Sequence, residues 1–207
     1  MGHVITVAQQ KGGSGKTTLA VNIAVALART GSTVALLDTD PQGSTGHWFM
    51  TRDEAMDDAG MEFGTASAWG AGYECKKLRK SADFVIVDTP PKVDSDLRPV
   101  LRESSLVLVP VATSQVDLWA LDSILELAER IGVPSMVVLN RFKPGTRVSS
   151  DIEQALAGRE VARAEAVLGN RVVYAESLGQ GKGVLEMGKG AWTTEVEALR
   201  DEVLAQL

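Results

Sequence analysis

Several protein classes need features that this chain has little of. A single cysteine, Cys75, among 207 residues excludes an internal disulfide and any cysteine-only metal cage within one chain. Its expected place is a structural, partly buried thiol in a reducing cytosol. Aromatic residues are scarce. Trp48 and Trp69 are therefore weighed both as exposed contacts for a partner and as side chains packed against the domain. No apolar run approaches the roughly 18 residues of a membrane span. The amino terminus lacks a signal-peptide layout, because an apolar strand pattern starts almost at once. Met1-Gly2 with Thr6 formally fits a myristoylation pattern, which is discounted because Thr6 falls inside that strand. A formal net charge of −6 argues against coating nucleic acid with the whole surface and leaves room for a local basic patch.

What is present begins with an apolar run (Val4, Ile5, Val7, Ala8), then Gln10-Lys11-Gly12-Gly13-Ser14-Gly15-Lys16-Thr17-Thr18, then an alanine-rich helical segment from Leu19 to Arg29. Strand, glycine loop and helix in that order make the phosphate-binding loop of a nucleoside triphosphatase. Small residues let consecutive backbone N–H groups, among them those of Gly12, Gly13, Ser14 and Gly15, turn inward around a phosphate chain at a helix N-terminus. Lys16 is expected to reach the β and γ phosphates and Thr17 to hold Mg²⁺.

Further apolar strands separated by helical stretches predict one α/β domain over residues 1–207. The expected fold is a mostly parallel twisted sheet with helices on both faces and ligands at the carboxyl ends of the strands. Thr33–Leu37 runs into Asp38-Thr39-Asp40-Pro41-Gln42-Gly43, which puts both acids where a nucleotide would lie. Asp38 is counted on the Mg²⁺ side and Asp40 as the carboxylate that orients the attacking water; capping of the loop by Asx turns is the competing role for each. Phe84-Val-Ile-Val-Asp88 is a buried strand ending in the acid that would hold a Mg²⁺-bound water, and Pro90-Pro91 would open a second loop toward the phosphates. Val133–Leu139 ends at Asn140, placed as a base-reading side chain; no Asn-Lys-x-Asp run occurs, which favours adenine over guanine. ATP and Mg²⁺ are the expected cofactors.

The remaining segments carry coarser expectations. A short strand is read over 61–66, helices over 70–80 and 116–131, and a strand over 105–111. A helical stretch weakened at Gly158 covers 149–168, a last strand covers Val172–Tyr174, and a terminal helix covers 191–207. Gly179-Gln-Gly-Lys-Gly183 lacks a long preceding strand and a Ser or Thr after its lysine, so it is read as a mobile loop.

Lys11 has no role in an ordinary phosphate cradle, because Lys16 already serves the terminal phosphate. A second cation there is unfavourable unless more negative charge is present. One solution sends Lys11 to a neighbour's nucleotide in a face-to-face dimer that hydrolysis would weaken; the other leaves it as a solvated surface lysine. Lys11, Lys16 and Asp40 are thus the candidate catalytic residues.

The set Gln9 to Thr18, Asp38-Thr-Asp-Pro-Gln-Gly43 and Val85-Ile-Val-Asp-Thr-Pro-Pro91 resembles the ParA/MinD family of deviant Walker A ATPases. It is closest to short ParA-type members without an N-terminal helix-turn-helix, and the likeness covers nearly the whole chain. By that resemblance Lys11 acts in trans, Thr18 touches the α-phosphate, Asp40 positions water, and Asp88 is the Walker B acid. The resemblance also implies an ATP-dependent homodimer that binds nonspecific DNA. A ParB-like or other adaptor protein would stimulate hydrolysis, and the protein would be cytoplasmic and nucleoid-associated. MinD-like members end in a basic membrane helix, whereas residues 194–207 carry four acids and one arginine, so no membrane partner is expected. Between Arg141 and Lys189 eight cations stand against six acids, a balance that suits either a DNA-binding face or an ordinary mixed-charge surface, so no single residue is named for DNA.

Other classes sharing this loop fit less well. An iron-sulfur reductase would need more cysteines, and a tyrosine-kinase relative would show a terminal tyrosine cluster. A nucleotide-binding adaptor without turnover is disfavoured by Lys16, Asp40 and Asp88. The rival that remains is an ATP-dependent amide-forming synthetase of cofactor biosynthesis with the same fold.

Overall fold

The computed structural model describes residues 1–67, 69–91 and 97–207. The chain opens with β1 (His3–Val7), α1 (Lys16–Ala28), β2 (Val34–Asp38) and α2 (Ser44–Ala55). It continues through β3 (Glu62–Thr65), α3 (Gly70–Leu78), β4 (Phe84–Asp88), α4 (Arg98–Leu101), β5 (Leu106–Ala112) and α5 (Gln115–Ile131). Then come β6 (Ser135–Asn140), α6 (Arg147–Ala157), β7 (Ala162–Arg163), α7 (Val173–Gly179), a 3₁₀ turn at Val184–Glu186, and α8 (Ala191–Ala205). The loop expected after Pro90-Pro91 falls partly on residues 92–96, outside the described residues.

All seven strands are parallel, in the order β3-β2-β4-β1-β5-β6-β7. Strands buried on both faces must be apolar throughout, and their side chains alternate between two cores. Ile5, Leu36, Ile86, Leu106, Leu108 and Val138 join the cluster beneath α1 and α8. Their neighbours Val4, Leu37, Val85, Val107, Val109 and Val137 face the side covered by α3 to α6. Helix α1 is buried almost all round, from Leu19 to Leu27, because it lies on β4 and β1 and is itself covered by α2, α7 and α8. Helix α8 spends its apolar stripe (Val196, Leu199, Val203) inside this core.

Two expectations are corrected. The stretch after Gly158 is a sheet edge, not helix: Ala164 and Leu168 donate their N–H groups to the carbonyls of Val137 and Leu139, and Phe142 bridges Gly169. Because residues 162–170 take the free edge of β6, Val172–Tyr174 has no strand to pair with; Val172 turns to helical dihedrals (φ −61°, ψ −34°) and starts α7. Trp48 and Trp69 divide: Trp48 is buried, whereas Trp69 is 86% exposed. Cys75 is buried, as expected, and burial pushes its thiol up to about 12.

The glycine turn at 179–183 is held in place by α2. Arg52, itself buried, donates Nη1 to the Gly181 carbonyl (3.0 Å), Nε to the Ala59 carbonyl (2.6 Å), and a fork of two N–H groups to Glu186 (2.9 Å each). Trp48 Nε1 donates to the Lys182 carbonyl (3.2 Å). Gly181 is required here, since a Cβ would stand 2.4 Å from the Arg52 backbone nitrogen and φ is +65°. Burial drives the Glu186 carboxyl up, but Arg52 and the Gly183 N–H outweigh it and hold the group below its ordinary value. Arg52→Ala would leave Glu186 half-buried without its partner. It is expected to destabilise the fold by about 3 kcal/mol, read by urea unfolding; a change within about 0.5 kcal/mol would show that the clamp contributes little.

Candidate functional site

The site follows from strand register. Sheet order reverses around β1, which has β4 on one side and β5 on the other, and in an open parallel sheet that reversal opens a crevice at the carboxyl ends. There Asp38 and Asp88 are paired directly in register, with Val7 opposite Asp88. The strand ends are tied together: Thr39 donates N–H and Oγ1–H to the Asp88 carbonyl (2.9 Å each), and Thr89 donates Oγ1–H to that of Val7 (2.8 Å).

The glycine loop between β1 and α1 has the form of an anion cradle. Among the described residues, the N–H groups of Gly12, Gly13, Ser14 and Gly15 have no internal acceptor. They stand at the start of a thirteen-residue helix, whose dipole favours negative charge. Gly15 sits at φ +91°, and a Cβ there would lie 2.1 Å from the Asn140 amide nitrogen, so the loop passes too close to β6 for a side chain. Lys16 is buried and, among the described residues, its Nζ meets only the Lys11 carbonyl, at 3.5 Å. Burial lowers its pKa, while Asp88 and Asp40 act in the opposite sense. A phosphate would relieve this by supplying the missing negative charge.

Asp88 is the centre of the acidic side. Its Oδ2 accepts from Thr17 Oγ1 and Thr45 Oγ1, each at 2.6 Å, while Oδ1 is buried and without a partner among the described residues. Burial raises its pKa to about 6, against hydrogen bonds from Thr17 and Thr45, and adjacent Asp38 adds to the rise. An orphaned carboxylate oxygen beside a hydroxyl that opens on the phosphate cradle fits Mg²⁺, which takes one or two protein groups and completes its shell with phosphate and water. No cluster of three or more His, Cys, Asp or Glu that could cage a metal exists among the described residues, in keeping with that mode.

The other expected residues are placed as follows. Asp38 Oδ1 accepts from Asp40 N–H and Oδ2 from Gly46 N–H (2.9 Å each), the turn-capping role weighed against a metal role. Asp40 caps Gln42 N–H (2.9 Å) and lines a cavity of about 700 Å³ with the phosphate loop, Thr18, His47 and Arg141. Asn140 donates its amide N–H to the Ser14 carbonyl and accepts Arg141 N–H on its Oδ1 (2.9 Å each), so it buttresses the loop. It also borders a second cavity of about 380 Å³, with Thr18, Arg141, residues 169–172, Tyr174 and Ala175. Lys11 is turned away from Lys16: its Nζ lies 2.6 Å from Asp117 Oδ2 and 3.1 Å from Ser114 Oγ, on the first turn of α5.

Three residues of this neighbourhood were not singled out from sequence, and a fourth was counted only among the cations. Thr45 follows the Asp-Pro-Gln-Gly run and reads as ordinary helix-start chemistry until β2 and β4 are laid side by side. Asp117 and Ser114 look like a capping pair for α5, which they also are, since Ser114 accepts from Asp117 N–H. Arg141, the cation, takes a left-handed backbone (φ +52°) at the mouth of both cavities, a conformation uncommon for a side-chain-bearing residue.

The Asp88 carboxyl keeps its proton up to about pH 6, against an ordinary 3.8. Between those values the folded state binds more protons than the unfolded state, so stability declines as pH rises through this window and stays lower above it. Asp88→Asn is therefore expected to melt higher than the unsubstituted protein above pH 6 without Mg²⁺ or nucleotide. The two should converge below pH 4, and the variant should lose the gain in nucleotide affinity that Mg²⁺ brings. Parallel melting curves across this range would contradict the assignment.

The "Maintenance of carboxysome distribution protein A" of Gloeobacter kilaueensis is 31% identical over 96% of this chain and 91% of its own. That of Halothiobacillus neapolitanus is 28% identical over 97% and 95%. The same fold occurs in a putative plasmid partition protein from Borrelia burgdorferi bound to AMPPNP (TM-score 0.80, 18% identity, 100% of both chains). It also occurs in a cobyrinic acid a,c-diamide synthase from Mycobacterium smegmatis with bound ADP and magnesium (TM-score 0.75, 20% identity, 99% and 94%). Residues 5–184 match the "CobQ/CobB/MinD/ParA nucleotide binding domain" model, and with its phosphate loop and strand-end acids in place the chain belongs to that family of nucleotide-binding ATPases.

Proposed function

We propose that this chain is a Mg²⁺-dependent ATPase that dimerises on ATP, binds DNA without sequence preference as the ATP dimer, and positions DNA or a protein cargo. A partner protein would stimulate hydrolysis and so release it. The observation that carries the reading is the division of labour between the two lysines. Lys16 is buried in the phosphate cradle, whereas Lys11 stands on its rim with its side chain one-third exposed and directed away from the chain's own phosphate site. Chain-long similarity to two carboxysome distribution proteins supports a positioning role. Lys16 and the loop N–H groups would stabilise charge on the transferring phosphoryl group, Thr17 and Asp88 would hold Mg²⁺ and its water, and Asp40 would orient the attacking water. Asn140, which borders the smaller cavity, would meet the base, and Thr18, which lines both cavities, the α-phosphate.

The basic stretch narrows when its ion pairs are taken into account. Arg159 is bonded to Asp122 and Arg171 to Glu195, and these two are less free for phosphate. Arg141, Lys143 and Arg147 follow β6 at the carboxyl end of the sheet, are all exposed, and among the described residues carry only one distant ion pair, Arg147 to Asp151 at 3.9 Å. We assign DNA binding to these three. The cofactor-biosynthesis synthetase shares the fold, but no feature of the site favours it over positioning. Helix α8 spends its apolar stripe (Val196, Leu199, Val203) in the core, which supports a reading without a membrane partner.

Retention on nonspecific DNA should need ATP and Mg²⁺ and fall with salt, and DNA-independent behaviour in ATP would overturn the reading in favour of the synthetase. Lys143→Ala with Arg147→Ala is expected to weaken DNA retention uniformly across sequences. The salt slope should flatten by about one for each phosphate that is no longer neutralised, with the ATP-dependent dimer intact by sedimentation.

A further inference from the structure

We infer that Asp117 is a latch on Lys11, a positioning residue that holds the lysine on its own chain and sets how much ATP is needed to form the dimer. The inference rests on the reading of Lys11 as a residue that crosses to a second copy. Asp117 is fully buried at the first turn of α5, its Oδ2 receives Lys11 Nζ at 2.6 Å, and it also accepts from Ser114 Oγ. Its other oxygen is buried with no partner among the described residues. Lys11 is therefore the sole cation within salt-bridge distance of this carboxylate, again among the described residues.

One ammonium group cannot serve two anions at separate places. For Lys11 to reach a nucleotide on another chain, it must leave Asp117, and the carboxylate then stays buried with only Ser114 and the helix start to stabilise it. An uncompensated buried charge is strongly unfavourable, whereas the intact pair is close to neutral for stability. The asymmetry makes the docked lysine the resting state and gives triphosphate, with its greater negative charge, the means to draw Lys11 away. Diphosphate offers less charge and leaves the latch closed, so the nucleotide state is read through competition between two anions for one lysine. The same turn of α5 exposes Val116 (50%) and Trp119 (71%) beside the latch, apolar surface that a second copy arriving at Lys11 would cover.

The test is the monomer–dimer equilibrium of the full chain by sedimentation velocity, without nucleotide, with Mg²⁺-ADP, and with Mg²⁺-AMPPNP to prevent turnover. Asp117→Asn keeps the shape and the Ser114 hydrogen bond while removing the charge. It is expected to tighten the AMPPNP dimer about tenfold, because a larger fraction of Lys11 is free to cross, and to give measurable dimer with ADP. Circular dichroism checks that the variant is folded. Should it not fold, Ser114→Ala removes one of the two groups holding Lys11 Nζ and is expected to shift the equilibrium in the same direction by a smaller amount. Lys11→Ala and the Lys11→Ala, Asp117→Asn double variant are expected to fail alike to dimerise, which places Asp117 upstream of Lys11. A folded Asp117→Asn with unchanged or weaker dimerisation, while Lys11→Ala abolishes it, overturns the latch and leaves the trans-lysine reading standing. Normal dimerisation of Lys11→Ala overturns that reading and the latch with it.

Discussion

The arrangement depends on one buried carboxylate. Asp88 ends β4, between β2 and β1, and its Oδ2 accepts hydroxyl hydrogen bonds from Thr17, at the start of the helix that follows the phosphate loop, and from Thr45, on the helix that follows the β2 loop. Two loops far apart in sequence are thereby referred to the same atom. Removal from water makes that carboxylate hold its proton up to about pH 6, and adjacent Asp38 makes it harder still to ionise. The pocket is thus short of positive charge before any cation enters it. This is the electrostatic condition under which Mg²⁺ and nucleotide would bind together, because each supplies the charge that the other needs.

The second constraint is mechanical. Helix α2 begins about two turns before Arg52, and Arg52 ties it to the Gly181 carbonyl and to Glu186, next to the 3₁₀ turn that Asn22 of α1 caps through its side chain (2.8 Å to Val184 N–H). The 179–186 turn is therefore bonded both to α2 and to α1, and Asp40, Trp48 and Gly179 line one cavity. The glycine run that looked loose in the sequence is fixed because its carbonyls, invisible in composition, are the acceptors for Arg52 and Trp48.

Much of the site was legible because its chemistry is local. The cradle needs consecutive N–H groups and small residues, so Gly12, Gly13, Gly15, Lys16 and Thr17 announce it within a few positions; Asp38 and Asp88 stand out as acids closing apolar runs. Strands β1, β2, β4, β5 and β6 were readable for the same reason, since burial on both faces demands runs of Val, Ile and Leu; β3 (Glu62–Thr65), at the sheet edge, has no such run. Edges were not. The segment after Gly158 and Val172–Tyr174 both carry sequence that suits either state, and the choice fell to whether a free backbone edge was available beside β6. Thr45 and Asp117 were hidden because a Thr or Asp near a helix start is ordinary capping chemistry, and only the partner across the fold gives it another role.

The sequence by itself determined the sheet, the phosphate loop and the identity of the acids and lysines around it, because strand apolarity and loop chemistry are properties of contiguous residues. The tertiary structure alone decided where those groups point: Asp38 into turn capping, Asn140 against the loop it supports, and Lys11 onto a buried carboxylate more than a hundred residues away in the chain. The physical reason is that a side chain's direction is set by which donor or acceptor it meets. Register pairs Asp38 with Asp88, and the packing of α5 against the sheet brings Asp117 under Lys11.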